Sequence, residues 1–179
     1  MTEQEAIQFL ESYQKNKALE KIQILHIQEL EQNAITAKGI NYESNGSSFS
    51  GTISKSSLPE YIYSKIMDMK EDLLRAIYSN SIRLKYIEEY IYKLGVLDTR
   101  AATLLTYKYV FGFKTNKIES EFNYSHIWTM QLMKQSLKDF CYKIMDEVNI
   151  QTIEKKIYDE SVVSRAELDK FYEKYISVK

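Results

Sequence analysis

Side chains able to do covalent or acid–base chemistry are sparse in this chain and poorly placed for it. His26 and His126 lie a hundred residues apart, Cys141 is the single cysteine, and no Gly-rich nucleotide loop or inward pair of carboxylates accompanies them. Nucleophilic, metal and general acid–base catalysis each need such groups in constellation, so an enzyme is not expected, and no cofactor is. One cysteine also excludes an internal disulfide framework or a cysteine-rich zinc site. What the chain does gather is side chains that bond without reacting: Thr115, Asn116 and Lys117, then Ser125, His126, Ile127, Trp128, Gln131, Lys134, Gln135 and Lys138. Glutamine can pair with an adenine edge, an apolar side chain can meet a thymine methyl, and lysines with helix-terminal amides can hold phosphates. That chemistry suits double-stranded DNA. The competing readings are a core or interface aromatic for Trp128 and a solvated face for the lysines.

Positioning these residues requires a helix, a tight turn and a second helix. Within Leu97–Phe140 a leading helix from Thr99 to about Val110 meets a bend at Phe111-Gly112-Phe113, where glycine can take the backbone conformation that ends a helix. A short helix over Thr115 to Phe122 follows, with Asn123 and Tyr124 as the turn and Ser125 as N-cap of a last helix, about His126 to Phe140. The spacing is that of a helix-turn-helix, the last helix being the recognition helix. His126, Ile127, Trp128, Gln131 and Gln135 would face the groove, and Thr115, Asn116, Lys117, Lys134 and Lys138 the sugar–phosphate backbone. Charge is mildly basic here, where Arg100, Lys108, Lys114, Lys117, Lys134 and Lys138 outnumber Asp98, Glu119, Glu121 and Asp139. The whole chain, at a formal net charge of -1, carries no general basic footprint.

Upstream, Thr2 with Glu5 forms a capping box that opens a helix to about Lys38, with Ile7, Leu10, Leu19, Ile22, Leu25 and Leu30 as its apolar side and His26 as a partly buried or flanking residue. Residues 39–57 are rich in Gly, Ser and Asn and read as a mobile connection; without a GK[ST] ending they are not a phosphate-binding loop. Ser57 and Glu60 offer another capping box around Pro59. Beyond it Ile62, Ile66, Met69, Leu73, Ile77, Asn80, Leu84, Ile87, Ile91 and Leu94 alternate steps of four and three, a heptad seam with one polar member. At about 1.5 Å per residue the helix is roughly 50 Å long, so its partner is the first helix, a second copy of the chain, or both. Gly95 is expected to stop it, and Asp98 or Thr99 to restart the chain. After Phe140 an amphipathic helical tail has a capping box at Ser164 and Glu167, with Leu168, Phe171, Tyr172 and Tyr175 on one side; Cys141 reads as a small core residue.

The expected class is therefore all-α: a long antiparallel, coiled-coil-like helical hairpin (1–95), a helix-turn-helix (96–140) and a C-terminal helical extension (141–179). Five glycines, one proline and 44% hydrophobic residues in 179 agree with a helical chain that has a real core. The acidic, polar start is unlike a secretory signal, and no run approaches the roughly 20 apolar residues of a membrane span, so a cytoplasmic protein is expected, with no membrane partner.

This order over roughly residues 1–140 resembles small phage-encoded regulators of late transcription in low-GC Gram-positive hosts, which carry a helix-turn-helix of region-four sigma-factor type. The matching residues are Tyr107-Lys108-Tyr109-Val110, Gly112, Ile118, Phe122, Tyr124-Ser125, Leu132, Leu137 and Phe140. The resemblance implies DNA binding at a promoter or operator, in company with RNA polymerase or another host protein, and no enzymatic activity. Three positions depart from the pattern: Glu119 stands where a small alanine is usual, Thr129 where valine is usual, and Ile127 with Trp128 where arginine, glutamine or glutamate is usual. A buried carboxylate at 119 would cost several kcal/mol unless paired or tilted outward. The second expectation is accordingly a helical interaction or inhibitor protein that turns the same scaffold against another protein. A homodimer is expected on either reading, because the seam leaves apolar edge uncovered and half-site binding needs two recognition helices.

Overall fold

A computed structural model describes residues 2–39, 57–146 and 150–176, with side chains from 2–34, 60–146 and 150–176. The Gly/Ser-rich connection over 40–56 lies outside these, and so does the Ser57 side chain on which the expected capping box with Glu60 rests. Seven helices and no strand make up the described residues: α1 Glu3–Gly39, α2 Ser57–Leu97, α3 Thr99–Leu105, α4 Thr115–Phe122, α5 His126–Asp139, α6 Ile150–Ser161 and α7 Arg165–Tyr175. Two of them run on into a single π-helical turn, α3 over Thr106–Val110 and α5 over Phe140–Ile144. Among the described residues no helix is long and apolar enough to cross a membrane.

α1 opens on the capping box of Thr2 and Glu5: the Thr2 amide donates to Glu5 Oε2 at 2.8 Å and the Glu5 amide to Thr2 Oγ1 at 3.2 Å. The buried face of α1 differs from the expected one. Ala6, Phe9, Leu10, Tyr13, Ile24, Ile27, Leu30 and Ala34 are buried, while Leu19, Ile22 and Leu25 face solvent at 45%, 64% and 60% exposure. A helix turns about 100° per residue, which sets Ile22 on the side away from Ile24 and Ile27. The aromatics Phe9 and Tyr13 supply the inner face instead. His26 is exposed, next to the buried Ile27.

Cross-helix bonds align α1 against α2. The Tyr13 hydroxyl donates to Glu88, Asn80 Nδ2 donates to Gln23 Oε1 at 3.3 Å, and Lys70 Nζ pairs with Glu31 Oε1 at 2.6 Å. Numbers rise along one helix as they fall along the other, so the two run antiparallel, and Asn80, the polar member of the heptad seam, fastens their register. The seam is unevenly covered. Ile77, Ile87, Ile91 and Leu94 are buried, whereas Ile62 and Met69 are 42% and 41% exposed.

Gly95 does not stop α2, which continues to Leu97. Asp98 breaks the helix and caps α3, its carboxylate accepting from the Ala101 amide at 3.0 Å. A Cβ on Gly95 would lie 3.3 Å from Ala102 Cβ. The glycine therefore lets α3 fold back close against α2. Leu104 and Leu105 enter the main core, which draws on α1 through α6 and includes Phe9, Leu10, Ile87, Leu94, Ile118, Phe140, Met145 and Ile153. Each fully buried side chain of this size contributes roughly 1.5–3 kcal/mol. Cys141 belongs to this core, and burial pushes its thiol above the usual range.

The C-terminal helices pack on α2. Arg83 clasps Glu154 of α6 with both guanidinium nitrogens, the Tyr86 hydroxyl donates to Glu160, and Phe171 of α7 meets Tyr78 edge-on at 5.1 Å. The α7 capping box is present, with the Ser164 amide donating to Glu167 Oε2 at 2.9 Å and the Glu167 amide to Ser164 Oγ at 3.4 Å. Leu168 is buried, Phe171 and Tyr172 are half-buried, and Tyr175 is exposed. A second, smaller core joins Ile24, Ile27, Leu74 and Ile77 to Ile176.

Candidate nucleic-acid interface

The segment from α3 to α5 is held by aromatic packing. Tyr107, in the π-helical turn, meets Phe111, Phe113 and Phe122 edge-on at centroid distances of 5.5, 5.2 and 5.3 Å, and Phe122 stacks on Tyr124 at 5.6 Å. The π turn is visible in the Phe111 amide, which reaches back to Thr106 O at 2.9 Å. Gly112 then reverses the chain at φ +69, a conformation that costs L-residues with a Cβ. Gln14 of α1 closes over this bend, its amide donating to Tyr109 O at 3.2 Å and to Val110 O.

α4 ends at Asn123, which takes the left-handed conformation at φ 53, ψ 43. Asparagine tolerates that region better than most residues. The Tyr124 amide bonds back to Glu119 O at 3.0 Å, satisfying a carbonyl at the helix end. Ser125 caps α5, its Oγ accepting from the Trp128 amide at 3.4 Å, while its carbonyl accepts from the Thr129 amide at 2.9 Å and from Thr129 Oγ1 at 3.0 Å. Thr129 is fully buried without an unpaired hydroxyl, which is how it stands in for an apolar residue. Met133, Ser136 and Phe140 continue its face inward, Ser136 Oγ donating to Leu132 O at 2.8 Å. The inner positions 129, 133, 136 and 140 leave the opposite side of α5 to solvent.

That outer side carries Ile127, Gln131, Lys134 and Lys138 in one stripe, with His126, Trp128 and Gln135 beside it. Ile127 is 71% and Trp128 47% exposed; Gln131, Lys134 and Gln135 are exposed, and Lys138 is half-buried. Trp128 is thus not a core residue. Gln135 is partly engaged, its Nε2 donating to Asp139 Oδ1 at 3.0 Å. Ser125 is exposed but spends its hydroxyl as a cap. On α4, Asn116 and Lys117 are exposed and Thr115 is half-buried. Lys117 Nζ sits 3.6 Å above the Phe113 ring.

Glu119 lies between the two helices. Its side chain is 20% exposed and its Oε1 is 2.6 Å from His126 Nδ1, so the carboxylate is neither unpaired nor turned outward. It ties α4 to the first residue of α5. Glu119 and His126 also line a shallow cleft of about 420 Å³ with Lys108, Lys114, Thr115 and Asn116. A second cleft of about 520 Å³ lies alongside, formed by Gly112, Phe113, Lys114, Asn116, Lys117 and Ser120. No side chain caps the N-terminus of α4, so its first amides open beside Lys114. Three lysines next to uncapped amides can hold an anion. Lys108 and Lys114 count in the sequence only toward the local basic excess; Lys108 lies in the π-helical turn that ends α3 and Lys114 just before α4, outside the two helices of the motif. Met130, 51% exposed on α5, was missed because four-and-three spacing does not separate it from the inner face.

Among the described residues no cluster of His, Cys, Asp and Glu could hold a metal ion. Comparison with family models, with curated proteins and with solved structures found no match to this chain.

Proposed function

We propose that the chain is a DNA-binding transcription regulator of phage type, in which α4, the Asn123-Tyr124 turn and α5 act as a helix-turn-helix on a helical hairpin of α1 and α2. The observation that carries this reading is the outer face of α5. It presents Ile127, Trp128, Gln131 and Lys134 to solvent from a helix capped by Ser125, beside the lysine-rimmed start of α4. A major groove accepts one α-helix, read by side chains of its first turns, with flanking cations on phosphates. Thr115, Asn116, Lys117, Lys134 and Lys138 supply the phosphate contacts; His126, Ile127, Trp128, Gln131 and Gln135 face the bases.

Gel-shift titration of duplex phage promoter DNA over a salt series tests it. Retardation at low salt is expected, with the salt slope reduced by about 2 in the Lys117→Ala/Lys134→Ala variant, near one unit per phosphate contact. Absence of retardation at low salt, or retardation indifferent to that double substitution, contradicts the proposal.

One observation favours a second reading, a protein partner in place of DNA. Ile127, Trp128 and Met130 are 71%, 47% and 51% exposed on a single helix, and apolar and aromatic anchors of this kind suit a protein interface. On that reading Trp128→Ala abolishes capture of the partner while Lys134→Ala does not.

A further inference from the structure

The outer face of α1 carries a short apolar strip, set among the exposed Lys15, Lys21, His26 and Glu29, that neither buried cluster uses. Leu19, Ile22 and Leu25 are 45%, 64% and 60% exposed, on the side away from Ile24 and Ile27, which pack against α2. Contiguous apolar side chains on an exposed helix mark an interaction surface.

We propose that this face binds the same face of a second copy of the chain, the two α1 helices lying antiparallel about a two-fold axis at Ile22. Such an axis sets each residue opposite the one equally far beyond the centre. Ile22 then meets its own counterpart, Leu19 lies beside the partner's Leu25, and Lys15 beside the partner's Glu29. The geometry of the helix supports each pair. At about 100° per residue, Lys15 and Glu29 both fall within about 20° of Ile22 around the axis, and Leu19 and Leu25 about 60° to either side. Lys15 and Glu29 are exposed, so the apolar centre is closed at both ends by opposite charges. Parallel pairing would set Lys15 on Lys15 and Glu29 on Glu29, and like charges exclude it. The self-complementary charge pattern selects a second copy as the occupant and fixes its direction. This dimer surface is independent of the DNA reading and lies on α1, not on the heptad seam of α2. Three apolar side chains from each copy make a small contact, so the dimer forms reversibly with concentration.

Sedimentation velocity of the full chain over a concentration series tests the proposal. A monomer–dimer equilibrium is expected. Ile22→Glu weakens it by about tenfold or more by burying a charge at the centre, and Lys15→Glu or Glu29→Lys alone weakens it less. The double Lys15→Glu/Glu29→Lys variant restores it, because both pairs across the axis are re-formed with signs reversed. Circular dichroism melting of each variant checks the fold, which solvent-facing positions leave intact. A wild-type chain that is monomeric throughout, a dimer indifferent to Ile22→Glu, or a double variant as weak as the singles overturns the proposal.

Discussion

At the scale of single residues, Glu119 carries the most information about the interface. A carboxylate between two packed helices is unfavourable by several kcal/mol when unpaired, and here it is matched by His126 at 2.6 Å. The His126 ring is 70% exposed, so water competes for the bond and its net worth is small. Glu119→Ala should therefore change stability by no more than about 1 kcal/mol in denaturant unfolding. Gly112 behaves oppositely. Its φ of +69 strains any residue with a Cβ, and an added Cβ would lie 3.2 Å from the Gln14 side chain, which would have to shift; Gly112→Ala should cost about 1 kcal/mol or more. The same unfolding experiment measures both. Of these residues, Gly112 could be read from sequence, since only glycine suits that bend, and so could Ser125 as a cap. The Glu119–His126 pair could not, because it depends on how steeply α4 and α5 cross.

Whole elements were legible wherever their ends carry their own chemistry. Asn123, Ser125, Asp98 and the two capping boxes mark boundaries through bonds to backbone within three residues, and these local bonds need no tertiary information. The buried face of α1 was not legible, because its apolar residues lie on two sides and only the packing of α2 decides between them. Gly95 misled for a related reason: its role is the approach of Ala102, a contact made by another helix. Two predictions belong at this scale. The Glu167 carboxyl is held below its ordinary value by the Ser164 amide and hydroxyl. A lowered folded value means the stabilisation is present above about pH 4.5 and is lost as pH falls through the folded value. Protection of the α7 amides against exchange should fall in that acid window; Glu167→Gln should remove the acid dependence, and Ser164→Ala, which keeps the backbone amide, should only reduce it. At the alkaline end, Tyr86 and Tyr172 are pushed up to about 12, Tyr86 first by its bond to Glu160 and Tyr172 first by burial, then by Glu31. Raised folded values favour the neutral phenol, so these contacts are intact below about pH 10 and lost as pH rises through about 12. The difference in tyrosinate absorbance between wild type and Tyr86→Phe or Tyr172→Phe should appear only at that upper end.

For the whole molecule, the antiparallel pair of α1 and α2 acts as a beam. Its N-terminal α1 end and C-terminal α2 end hold α3 and the aromatic knot around Tyr107, and these set α4 and α5 outward. The far side of the same beam is braced by α6 and α7 through Arg83–Glu154 and Tyr172–Glu31. Contacts spanning 71 and 141 residues have no trace in local periodicity: the amphipathic tail announces that it packs on the body or on a second subunit, but not which residues it pairs with. A chain with a net charge of -1 can bind a polyanion only through a local basic patch; Lys108, Lys114 and Lys117 rim the clefts beside α4, and Lys134 and Lys138 stand on α5. The chain's lone tryptophan, Trp128, stands on that side at 47% exposure and is the direct probe of the claim that the outer face of α5 is the DNA-facing surface. Titrating the protein with duplex promoter DNA at low salt, while following tryptophan emission, should give saturable quenching that reverses as salt is raised and weakens in Lys117→Ala/Lys134→Ala. DNA that binds by gel shift while Trp128 emission stays unchanged, or emission indifferent to DNA at every salt, would contradict the account.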